Sequence, residues 1–382
     1  MAAERAHDAV ADVLVRRGHV LLYRLYDVGE AVALDAARTL LGLRADQTSR
    51  LAARPIRGLV VAKPPLVTDL GPVKVELTGG GALSGTAQAR IFDFGVVSVQ
   101  LRLAIPEGTP WATLVRWSSE LEASRAVFEI SDRYADQVAA RIAETIEDPR
   151  RSATVEDYGI FHVQATDPPL KADELRARAD VPALLLGDIE PGKLHASEQR
   201  AIQAYSMSYS EDDLTVIDWN AALVVMPAEE SDIPDILEFA TAQLLELRVY
   251  DELLDRELDR LYDRVGEKRG AIGRRMLAVR HPYRELARNA MLLLLDVQDV
   301  TEKSENALKV VGDPFLAKLY LTAIEAFGLP RWRAALDRKL ATLDRIVSLL
   351  NDQADASRAT GLELVVVILI LLEIVLILAL GK

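Results

Sequence analysis

The last stretch of the chain constrains it most: from Leu364 to Leu380 every residue is Leu, Ile, Val or Ala except Glu373. As a helix this run of about 17 residues is roughly 26 Å long, and with Leu362 and Glu363 it reaches the thickness of a hydrocarbon core. A charged carboxyl near its centre costs on the order of 3 kcal/mol. About fifteen Leu, Ile and Val residues at roughly −0.3 to −0.6 kcal/mol each outweigh it, and protonation of Glu373 lowers the cost further. A buried soluble helix is the competing reading, but core helices seldom run this long without a polar face. The expectation is a single membrane helix, Leu362 to Leu380, with the bulk of the chain left on the side of synthesis. The N-terminal MAAERAHDAVADVLVRRG is broken by charges and does not read as a signal peptide. Arg358 and Lys382 bracket the run almost evenly, so flanking charge adds little.

At 382 residues, half hydrophobic and 27% charged, the chain has the composition of a folded protein with room for two domains. A net charge of −13 argues against a broad nucleic-acid surface. Arg44, Arg50, Arg54 and Arg57 form the densest basic patch and read as a solvated loop. With no cysteine, disulfide, thiolate and cysteine-ligated metal chemistry are removed together.

The first part, residues 1–228, reads as one α+β head domain. Strands are expected at His19 to Val28, Val73 to Leu77 and Tyr158 to Ala165, with helices over Ala31 to Leu43 and Thr109 to Ile146. A Pro-containing connection spans Pro64 to Pro72. One long strand is expected from Ala87 to Leu103, where the apolar phase switches at Gly95, as a β-bulge would make it do. Three further strands follow at Ala204 to Tyr209, Leu214 to Asp218 and Ala221 to Met226, with SEDD, Ser210 to Asp213, as a turn.

The period then changes. Leu237, Ala240, Leu244, Leu247, Leu254, Leu258, Leu261 and Val265 keep a heptad rhythm, as do Leu286 to Val311 and Leu336 to Ala354. Residues 229–360 are therefore expected to form long antiparallel helices, a coiled-coil stalk, leading into a transmembrane anchor at 361–382.

Few residues point to chemistry. GGGALSG, Gly79 to Gly85, lacks a Gly-Lys-Ser/Thr ending and precedes a strand, so it reads as a loop. The five histidines lack the spacing of a helical metal site; HASE, His195 to Glu198, reads as a surface contact. His162 lies inside an apolar strand and Asp93 interrupts another between Phe92 and Phe94; these two are the head-domain candidates. Neither carries a cofactor or metal motif. Glu373, an acid at mid-run, is the candidate for self-association, because such a group usually faces another helix.

IFDFGVVSV (Ile91 to Val99), DPFLAKLY (Asp313 to Tyr320) and GLELVVVILILLEIVLIL (Gly361 to Leu378) together resemble the family of required-for-meiotic-nuclear-division proteins. Ser98 and Gln100 stand where that family tends toward an aromatic, and Asp313 to Tyr320 lacks its usual Trp, which suggests a divergent bacterial branch. The resemblance implies a membrane-anchored homo-oligomer with no established enzyme activity, whose mitochondrial relatives support organellar protein synthesis.

The expected protein is a self-associating scaffold in a bacterial inner membrane, its partners the bilayer, further copies of itself and an unidentified protein. The alternatives are an enzyme or nucleotide sensor with a site around Asp93, His162 and the Gly79 to Gly85 loop, or a tether for the translation machinery.

Overall fold

In the computed structural model the described residues are 13–44, 58–61, 63–187, 194–228, 232–269, 308–311 and 314–380, with isolated helical positions between 288 and 295. The chain divides into two units, Met1–Val249 with Lys303–Trp332, and Tyr250–Glu302 with Arg333–Lys382.

The first unit is built on one mixed sheet. Strand β1 (Leu14–Asp27) is followed by the short β2 (Ala31–Val32), helix α1 (Leu34–Leu41) and β3 (Gly58–Val61). Next come β4 (Leu66–Glu76), β5 (Ala82–Ile91), β6 (Val96–Ala104) and the two-residue β7 (Thr109–Pro110). Helices α2 (Trp111–Glu122) and α3 (Arg125–Arg141) lead to β8 (Ile146–Glu147) and β9 (Val155–Asp167). After the short α4 (Ala172–Arg178), α5 (Val181–Leu186) and α6 (Ala196–Ala204), strands β10 (Ser206–Met207), β11 (Leu214–Ile217) and β12 (Ala221–Val225) complete the sheet. Its order is β10-β11-β12-β9-β1-β6-β5-β4, with β7 also on β1. Every pairing is antiparallel except that of β12 with β9.

Three local expectations change for identifiable reasons. The strand expected from Ala87 to Leu103 is a hairpin: Ile91 pairs with Val97, and Phe92 to Gly95 make the turn. Gly95 has φ of 87°, and a Cβ there would stand 1.9 Å from the Gly29 carbonyl oxygen, so only glycine lets this turn pack against the end of β1. The helix expected over Thr109 to Ile146 breaks after Glu122, where Ser124 caps α3 through its side chain. Pro72 lies inside β4 and not in a connection; β4 is the sheet's edge, where a missing N–H costs no ladder bond.

Side chains alternate across the sheet. One face is covered by α2 and α3, whose buried Trp111, Leu114, Leu121, Val127 and Val138 join Val20, Ala89, Val99 and Phe161 of the strands in a large apolar core. The other face receives α7 (Ile233–Arg269): Phe239 lies 6.1 Å from Phe92 and 6.2 Å from Phe94, ring centre to ring centre. β13 (Leu308–Val311) pairs with β3. Helix α8 (Pro314–Ala326) then adds Tyr320, whose hydroxyl donates to Gln243 Oε1 at 2.5 Å, and Phe327 packs edge-on against Tyr158.

The fold class is thus α+β, but the coiled-coil stalk is corrected. Between Ile233 and Val249 the heptad positions Leu237, Ala240, Leu244 and Leu247 are buried, and so are Ile236, Phe239, Ala242 and Leu245 between them. A coiled-coil seam buries one stripe; burial all round marks a core helix. The second heptad run lies largely outside the described residues, and its end, Leu308–Val311, is a strand. In the second unit, α9 (Leu329–Leu380) buries Leu336, Leu343 and Val347, and Lys339 Nζ reaches Asp251 and Asp255 at 2.6 Å. Asp251 and Asp255 lie midway along α7.

The membrane span expected at Leu362 to Leu380 is also corrected. Among the described residues no helix is long and apolar enough to cross a membrane.

Candidate functional site

The sheet face under α7 is unusual in what it buries. Residues Tyr23, Arg90, Ser98, Gln100, Glu156 and His162 all point to it, and α7 meets them with Asp235, Glu238 and Glu246. These acids recur at intervals of three and eight residues, so they form one stripe of the helix. Burying so many polar groups is tolerable only if they find partners.

Most do. The Arg90 guanidinium forks onto α7, Nη2 to Asp235 Oδ1 at 2.6 Å and Nη1 to Glu238 Oε2 at 2.7 Å. Glu238 is 0% exposed, and burial outweighs the attraction of Arg90, lifting its carboxyl to about 7. Near neutral pH the buried guanidinium therefore need not face two full negative charges. Beside it Gln100 Nε2 donates to the Tyr23 hydroxyl at 2.6 Å. Further along β9, Glu156 is held by Arg248.

At the C-terminal end of β1, Asp27 is 0% exposed and takes a two-pronged contact from Arg150, Nε at 2.7 Å and Nη2 at 3.2 Å. Glu246, 3% exposed, faces the same corner, and neither of its carboxylate oxygens has a hydrogen-bond partner among the described residues. Burial, then the nearby charge of Asp27, raises its carboxyl well above the ordinary range.

Asp93, one expected candidate, sits in the β5–β6 turn; Lys63 Nζ lies 3.3 Å from its carboxylate and its carbonyl accepts from Val32 N–H. His162, the other, is 4% exposed at mid-β9 opposite His19; burial, then the neighbouring His19, lowers it to about 4, so it is neutral. The two are not brought together. Asp93 lies beyond Val96, the partner of Asp27, whereas His162 pairs with His19; the span from residue 19 to 27 of an extended strand is roughly 26 Å. The Gly79 to Gly85 loop joins β4 and β5 as a hairpin tip two strands further away. His195 caps α6, its Nδ1 accepting from Ser197 N–H. Glu373 lies on α9 among exposed apolar residues. Among the described residues no group of three His, Asp or Glu is placed to hold a metal ion.

Arg90, Asp235, Glu238 and Glu246 were not singled out from the sequence. The signal was present: DILEFATAQLLEL, Asp235 to Leu247, carries acids on one stripe of an otherwise apolar helix, and such acids need a buried cation.

Comparison with known proteins corrects the resemblance drawn from Ile91 to Val99 and from the C-terminal segments. Nothing connects the chain to the meiotic nuclear division family: Ile91 to Val99 is a hairpin turn and its flanks, a packing pattern and not a family signature. An uncharacterized protein of the archaeon Methanocaldococcus jannaschii, MJ0711, is 26% identical over 174 residues, covering 45% of this chain and 51% of that protein. The chain thus spans about half the length of that curated relative. Placement in a bacterial inner membrane falls with this archaeal relative and with the lack of a sufficiently long apolar helix among the described residues. No solved structure matches. Residues 17–232, from β1 to the threshold of α7, match the model described as "Uncharacterized protein MJ0711, N-terminal domain", and the chain belongs to that family.

Proposed function

We propose that the protein is a self-associating scaffold whose copies join through the apolar stretch of α9. One observation carries this reading: eight Val, Ile and Leu side chains between Val366 and Ile374 are each about half exposed. Burying the exposed half of such a side chain is worth about 1 kcal/mol, so each copy holds roughly 8 kcal/mol of unrealised burial. Where neighbours cover every side of the stretch, this burial offsets the roughly 4–15 kcal/mol that association costs. The stretch is apolar all round, and one neighbour covers one side only, which favours three or more copies. Glu373, the lone acid among these residues, would set the register, as a polar residue in an apolar seam does. The engagement of Glu238, Asp27 and Glu156 by Arg90, Arg150 and Arg248 supports a structural use of the sheet face under α7 over a catalytic one.

Chemical crosslinking and light scattering of the full chain at micromolar concentration test the reading. The expected result is an assembly of three or more copies that Leu369→Asp with Leu372→Asp reduces to monomers while the circular dichroism of the sheet unit is retained. Glu373→Leu should keep the assembly but broaden its stoichiometry. A monomeric wild-type chain would falsify the proposal.

A further inference from the structure

On the sheet face opposite α7, a cavity with about 80 Å³ of internal room lies between β1, β9, β12 and helices α2, α3 and α5, and opens outward. Its floor is Gly159. Other strand glycines have evident reasons: a Cβ on Gly18 would stand 2.6 Å from a backbone oxygen, one on Gly85 1.8 Å, and Gly71 has φ of 97°. Gly159 has none of these. A Cβ there would meet only the Leu22 side chain, at 3.9 Å, so the backbone would accept any residue, and its missing side chain is what leaves the space. A glycine in a central strand without a steric cause marks a place where something else approaches.

The walls are apolar, formed by Leu22, Val127, Phe128, Phe161 and Leu185. Two polar side chains interrupt them. Asn220 at the mouth donates to Glu122 at 2.9 Å, while its Oδ1 is buried without a partner. Ser131, 1% exposed, also lines the space. Asn220 Oδ1 calls for a donor on the ligand. The rim carries Arg24, with Asp157 at 2.7 Å and Asp132 at 3.2 Å, and Glu122; one cation against three acids repels an anion.

We propose that this cavity is a binding site for a small molecule with a short apolar body and a cationic or neutral hydrogen-bond donor at one end, of the class of short primary amines. The apolar body lies over Gly159 and the donor meets Asn220 Oδ1. The site is independent of assembly through α9.

n-Butylamine, with butyrate as the anionic control, is titrated into the full chain while the Gly159 amide is followed by NMR and the fluorescence of Trp219, the exposed neighbour of Asn220, is recorded. Saturable shifts with n-butylamine, and binding at least tenfold weaker for butyrate, are expected. Gly159→Val should abolish the shifts without lowering the melting temperature, and Asn220→Leu should weaken binding several-fold. Absence of saturable shifts in the wild type, equal binding by Gly159→Val, or preference for butyrate would each overturn the assignment. A lowered melting temperature for both Gly159→Ala and Gly159→Val would likewise overturn it, because it would mean that the space over Gly159 is already filled.

Discussion

The two faces of one sheet are built by opposite rules. Under α2 and α3 the strands contribute Val20, Ala89, Val99 and Phe161, the helices answer with Trp111, Leu114 and Val127, and ionised groups keep to the rim. Under α7 the same strands contribute Tyr23, Arg90, Gln100, Glu156 and His162, and the helix answers with acids. The difference follows from the helices. α2 and α3 each keep a wet side for their polar residues, whereas the first part of α7 is buried all round and must satisfy its acids inside. An apolar face holds by shape and area and tolerates a gap; a polar face holds by pairing, and one broken pair strands a charge.

The largest effect expected from this contrast is at Arg90. Arg90→Met leaves Asp235 and Glu238 buried without their cation and should cost roughly 3–5 kcal/mol in urea unfolding. The triple change Arg90→Met, Asp235→Leu, Glu238→Leu should recover most of that loss. A triple variant no better than the single one would mean that the pairs act through something other than stranded charge.

A truncation on the apolar face should cost less. Leu114→Ala is expected to lose about 2–4 kcal/mol, the ordinary cost of a core cavity, and to lose the same amount at pH 5.5 and pH 8. A pH-dependent loss would break the division into two faces.

The smallest effect is in pH, and its sign separates groups on the polar face. Glu238, raised to about 7, holds a proton in the folded chain that it lacks unfolded, so its contribution is lost as pH rises from its unfolded value through 7. Glu238→Gln should therefore gain roughly 2 kcal/mol on the wild type between pH 5.5 and 8. His162, lowered to about 4, works the other way: the unfolded chain binds the extra proton below its usual value, so stability falls as pH drops through 6.5 toward 4. His162→Gln should gain roughly 1 kcal/mol on the wild type between pH 8 and 5.5. Matching pH curves for either variant and the wild type would remove its group from the account.

The strand positions were legible because period-two alternation survives wherever one sheet face is apolar: Tyr158 to Ala165 and Ala221 to Met226 lie within three residues of what forms. The β5–β6 hairpin was not, because Phe92 to Gly95 reverses the chain with aromatic residues that look like strand. α7 misled for a physical reason. Leucines at heptad spacing serve a coiled coil and a sheet-covering helix equally, and only the apolar residues between them, such as Phe239 and Leu245, argue for the second. Asp93 and His162 drew attention as polar residues in apolar strands, yet the groups that couple strand to helix are Arg90 and its acids. Arg90 hides in ARIFDF as one more alternating polar residue; its role appears only when Asp235 and Glu238, nearly 150 residues later in the chain, close over it. Gly159 was equally silent, since the space it leaves belongs to five other elements.

The match to the MJ0711 N-terminal family stops at residue 232, three residues before Asp235. This chain's sheet thus carries Arg90 on one side of that boundary and the arginine's counterions on the other. A chain cut at 232 would present a row of water-hungry and greasy groups, Tyr23, Arg90, Phe92 and Gln100, with nothing laid over them. Such a fragment should express poorly or aggregate, while one carried through Val249 and rejoined to residues 303–332 keeps its lid. In engineering terms, the smallest autonomous piece is discontinuous, and the helix whose heptads suggest a stalk begins as the cover of one sheet face.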